Sequence, residues 1–122
     1  MTAAPATHLS PAALDVHEYA AHRLAKHYLA NLRSFRELPG TRLPTLAWFA
    51  ADLATRCAIG ESFAFARRRR NAFRLKPRWD LIARLAETEI RGVLITDTEL
   101  ASKLLRIRSI APPQAQDAAP AN

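Results

Sequence analysis

Cysteine, glycine and long apolar runs are all scarce in this chain of 122 residues, and each shortage closes off a class of protein. A single cysteine, Cys57, cannot form an intramolecular disulfide, which fits a reducing compartment. Only three glycines occur, Gly40, Gly60 and Gly92, too scattered for a glycine-rich phosphate loop. The most apolar window, residues 43–59, is interrupted by Asp52 and Arg56 and is too short to span a bilayer. The first ten residues hold no Lys or Arg and no apolar stretch, so no secretory signal is expected and the cytoplasm is the default location. No run of alternating apolar and polar residues is long enough to predict a sheet.

The most informative absence is that of negative charge between Ser62 and Arg78. This stretch contains Arg67, Arg68, Arg69, Arg70, Arg74, Lys76 and Arg78 without one Asp or Glu. The whole chain carries 18 Lys plus Arg against 11 Asp plus Glu, a net charge of +7. Without those seven cations the count is 11 against 11, so the excess is one site and not a general property of the composition. A local excess of this density points to a polyanionic partner.

Helical spacing dominates the rest. One domain of about five helices is expected over residues 10–110. Residues 1–9 form a disordered N-terminus and residues 111–122 a disordered tail rich in Pro and Ala. Ser10 and Pro11 read as an N-cap and first helical residue. A first helix then runs to about Glu37, with Leu14, Ala21, Leu24, Tyr28, Leu32 and Phe35 on one stripe. That stripe suits a core, and it also fits the seam of a homodimer. A second helix from Thr45 buries Leu46, Phe49, Ala50, Leu53 and Cys57, pairs Asp52 with Arg56, and closes at Gly60. Ser62 caps a third helix through the arginines, which Pro77 ends. A fourth spans residues 78–91 with Asp80/Arg84 and Glu87/Arg91 pairs, stops at Gly92, and leads into an extended Val93-Leu94-Ile95. Thr96 and Glu99 then form a capping box for a fifth helix that buries Leu100, Leu104 and Ile107. The fold class is all-α.

The stretch from Ala51 to Arg70, two helices joined at residues 58–61, resembles a helix-turn-helix. Ala54 supplies a small residue at the helix contact, although Ala58 stands where the turn ordinarily takes glycine. That resemblance implies a DNA-binding regulator or accessory factor that reads DNA through helix three. The nucleic-acid-binding residues are then Ser62, Arg67, Arg68, Arg69, Arg70, Arg74, Lys76 and Arg78, with DNA favoured over RNA as the partner. The alternative is a helical adaptor or inhibitor that docks an acidic protein through the same patch.

Chemistry beyond binding finds little support. His17, His22 and His27 are five residues apart, about 140° around a helix, so they cannot converge on one metal. Cys57 falls on the apolar side of its helix, as an inert thiol does. No catalytic residue, metal site or cofactor is predicted, and the chain is expected not to be an enzyme.

Overall fold

A computed structural model describes residues 9–70 and 75–110, apart from the side chains of Arg70, Ser109 and Ile110. The predicted tail, nearly all of the predicted N-terminal segment and Arg74 lie outside the described residues. Five helices, α1 (Pro11–Ser34), α2 (Leu46–Ala51), α3 (Leu53–Arg70), α4 (Trp79–Thr96) and α5 (Thr98–Ile110), make an all-α domain. No strand occurs among the described residues.

The first helix is the hub, since α2, α3, α4 and α5 all pack against it, α4 most extensively. Ser10 caps it by accepting the Ala13 N–H at 3.2 Å, with Pro11 in the first turn. Its stripe is core and not an intermolecular seam, because Leu24 and Leu32 are wholly buried within one chain. Small side chains (Ala20, Ala21 and Ala25 on α1, Ala86 on α4) are also buried, as a close approach of helices requires. Burying each large aliphatic side chain of this core stabilises the fold by about 1.5–3 kcal/mol. The helix ends three residues before the predicted Glu37. Ser34 turns its hydroxyl back onto the Ala30 carbonyl at 3.0 Å, and Phe35 adopts an extended backbone and packs on the core. Glu37, released from the helix, forms a two-point ion pair with Arg106 of α5 at 2.7 and 3.2 Å.

The helix break after α2 lies at Asp52 and not at Gly60. Asp52 is extended (φ −62°, ψ 133°), and its carboxylate accepts both the backbone N–H of Thr55 at 3.2 Å and its hydroxyl at 3.3 Å. It thus ends α2 and caps α3 in a single residue. Gly60 sits inside α3, which runs unbroken through residues 58–61. The helix-turn-helix predicted there is therefore absent, and Ser62 lies mid-helix, not at a cap. The break also re-aims the helix. Ile59 and Phe63 go inward, while Leu53 is 76% exposed and Cys57 is exposed, contrary to their expected burial.

A second aspartate repeats the device. The fourth helix passes through Gly92 and absorbs residues 93–96, so the extended piece does not form. Asp97, not Thr96, breaks the chain and accepts the Leu100 N–H at 3.1 Å. Leu100, Leu104 and Ile107 are buried as predicted. Of the predicted helix-surface pairs, Asp80/Arg84 and Glu87/Arg91 form, at 3.6 and 3.0 Å. Asp52/Arg56 does not. The Arg56 Nε donates to the Ala50 carbonyl at 2.9 Å, and its guanidinium lies 4.4 Å from the Trp79 ring centre.

Candidate nucleic-acid interface

The arginine run ends α3, whose inner face is anchored by Ile59, Phe63 and Ala66. Four consecutive arginines sweep most of a helix circumference at about 100° per residue, so they cannot share one role. Arg67 turns inward. It is half-buried, and its Nη1 donates to the Leu75 carbonyl at 2.9 Å, clasping the segment that leads to α4. Arg68 and Arg69 point out to solvent. The Arg69 guanidinium lies 5.7 Å from the Phe65 ring centre, and Phe65 itself is 55% exposed. Arg70 completes the helix backbone. Lys76 is exposed in the connection.

Arg78 is committed within the fold. Its guanidinium meets Asp80 at 3.1 Å, and its backbone N–H donates to His17 Nε2 at 3.0 Å. Asp80 titrates below the ordinary carboxylate range. Partial burial pushes it upward, but the Leu81 N–H and the Arg78 charge outweigh that effect. Ser62 is occupied as well, its hydroxyl accepting Arg23 Nη1 at 3.1 Å.

That bond brings α1 into the site, which the sequence reading missed. Arg23 also donates to the Ala58 carbonyl at 3.3 Å and lies 6.0 Å from the Tyr19 ring centre. The only local signal is the four-residue step from Tyr19 to Arg23, which places a cation over a ring. Nothing in it tells that α1 will lie beside α3. A groove of about 890 Å³ separates the two helices, with Tyr19, Arg23, Phe65 and Arg69 along it and the carboxylates of Asp15 and Glu61 at its edges.

Ion pairs among the described residues join His22 to Glu89, Asp80 to Arg78 and Arg84, Glu87 to Arg91, and Glu37 to Arg106. None of them reaches Arg67, Arg68 or Arg69. The histidines are dispersed, with His17 fully buried and His22 and His27 exposed. Among the described residues no group of three or more His, Cys, Asp or Glu is placed to hold a metal ion. No described helix is long and apolar enough to cross a membrane. No protein-family model, curated protein or solved structure matches this chain.

Proposed function

We propose that the chain binds nucleic acid through the outer face of α3, with Arg68 and Arg69 at the centre and Lys76 and Arg23 beside them. One observation carries this reading. The fold pairs Glu37, Asp80, Glu87 and Glu89 with cations elsewhere, yet offers Arg68 and Arg69 no carboxylate partner among the described residues. Uncancelled guanidinium groups at neighbouring positions of one helix grip phosphates, fixing a polyanion without reading its sequence.

With no turn at residues 58–61 to set off a separate recognition helix, the contacts expected are to backbone phosphates and only secondarily to base edges. Binding to duplex DNA is therefore salt-sensitive and tolerant of sequence, as suits an accessory or architectural factor of the cytoplasm more than a reader of one operator. If about five phosphates are engaged, log K falls with log salt at a slope of about −4 to −5. The exposed rings of Phe65 and Tyr19 offer unpaired bases a stacking surface beside the cations.

A second reading, docking of an acidic protein, draws on the same rings and on the mixed charge of the α1–α3 groove. Fluorescence anisotropy on duplex DNA, single strands and RNA at two salt concentrations separates the two. Salt-dependent binding to duplex DNA supports the first. Failure to bind any nucleic acid at low salt removes it and leaves the protein partner.

A further inference from the structure

A different face of the molecule carries a second site. Where α1, α2, α4 and α5 meet the loop before α2, they enclose a cavity of about 460 Å³ that includes no residue of α3. Its apolar lining comes from Ile90 and Leu94 of α4, Leu104 and Ile107 of α5, and Leu43 and Leu46 of the loop and α2. Its mouth is cationic. Arg91 and Arg108 line it, and Glu87 is bonded to Arg91 at 3.0 Å, which leaves the Arg108 guanidinium without a carboxylate partner among the described residues. The Tyr28 ring closes one side with its hydroxyl toward Arg108. Burial raises the titration of that phenol, and the neighbouring Arg108 charge opposes the rise, so the hydroxyl stays protonated and able to donate.

A chamber of a few hundred cubic ångströms that sets apolar side chains beside convergent polar groups has the form of a small-molecule site. The positive mouth narrows the chemistry further. A neutral apolar ligand gives the Arg108 guanidinium no partner beyond the Tyr28 hydroxyl, and a fully hydrated anion leaves the aliphatic lining without use. We propose that this cavity binds a small amphipathic carboxylate, its chain against Leu94 and Leu104 and its head on Arg108 and the Tyr28 hydroxyl. Guanidinium suits that head because its forked N–H groups match two carboxylate oxygens.

The test is calorimetric titration of the full chain, at fixed ionic strength, with octanoate, octanol and acetate. Octanoate binds saturably at one site. Octanol binds at least about tenfold more weakly, the loss expected when a hydrogen bond to a charged group is removed, and acetate at least about tenfold more weakly because it has no chain for the apolar lining to bury. Arg108→Gln, an exposed change that leaves the core intact, brings octanoate down to the level of octanol. Leu94→Trp fills the chamber and abolishes both, with circular dichroism showing the helices retained. Arg84→Gln, on α4 but outside the cavity, binds octanoate as the parent does. Equal affinity for octanoate and octanol, or unchanged octanoate binding in Arg108→Gln, overturns the proposal. Nucleic-acid binding is measured separately and decides neither outcome.

Discussion

The imidazole of His17 joins two places far apart in the chain. Its Nε2 lies 3.0 Å from the backbone nitrogen of Arg78, and its Nδ1 lies 2.8 Å from the Ala13 carbonyl oxygen. A carbonyl can only accept, so Nδ1 carries the proton and Nε2 is left to receive the Arg78 N–H. Phe63 covers the ring edge-on at 4.8 Å between centres. One neutral side chain thus fixes the start of α4 against α1, next to the cationic end of α3. It also satisfies the backbone N–H of Arg78, the N-cap residue of α4.

His17→Ala should therefore cost about 2–4 kcal/mol, combining a cavity with an unpaired buried donor. His22→Ala, which loses only an exposed pair to Glu89, should cost less than about 1 kcal/mol. Urea unfolding followed by circular dichroism measures both. Equal, small losses would show that the His17 bond does not hold the helices together.

Gly60 offers a direct check on the course of α3. Its backbone is helical, and a Cβ placed there meets no atom within 4 Å. Gly60→Ala should stabilise the protein by about 0.5–1 kcal/mol. If residues 58–61 instead formed a turn with Gly60 at positive φ, alanine would destabilise. The sign of the change in melting temperature discriminates between the two.

The arginines should separate by role. Arg68→Ala and Arg69→Ala should each reduce the salt slope of nucleic-acid binding by about one while barely changing stability. Arg67→Ala should do the reverse, lowering the unfolding midpoint because its bond to the Leu75 carbonyl is lost. Paired salt titrations and unfolding curves test this. An identical loss of slope from all three would mean that Arg67 also faces the polyanion.

Acid should weaken the fold through two carboxylates. Glu37 titrates below its ordinary range chiefly because Arg106 donates to it, with burial acting in the opposite direction and the charges of Arg106 and Lys103 adding to the lowering. Asp80 is lowered too. A folded value below the unfolded one means that stability is fully present above the unfolded value, about 4, and is lost as pH falls through the folded one. Stability followed from about pH 6 to pH 2 should drop less steeply in Glu37→Gln and Asp80→Asn than in the parent. Parallel curves for the parent and both variants would remove these pairs as the source of the acid limb.

Much of this was written locally. The serine and proline opening α1, the threonine opening α2, the stripe from Leu14 to Phe35 and the three buried positions of α5 depend on contacts within one or two helical turns, which spacing reveals. The gap in negative charge between residues 62 and 78 is likewise a fact of order along the chain. Helix ends inside the domain were not decided there. Gly60 and Gly92 look like stops, but a mid-helix glycine costs only about 1 kcal/mol. Burying Ile59 and Phe63 on one helix and Ile90 on the other outweighs that cost, and Asp52 and Asp97 take the breaks instead. Only packing could then assign the cations, turning Arg67 and Arg78 into the fold, leaving Arg68 and Arg69 outside it, and bringing Arg23 across from α1, because these choices depend on neighbours distant in sequence.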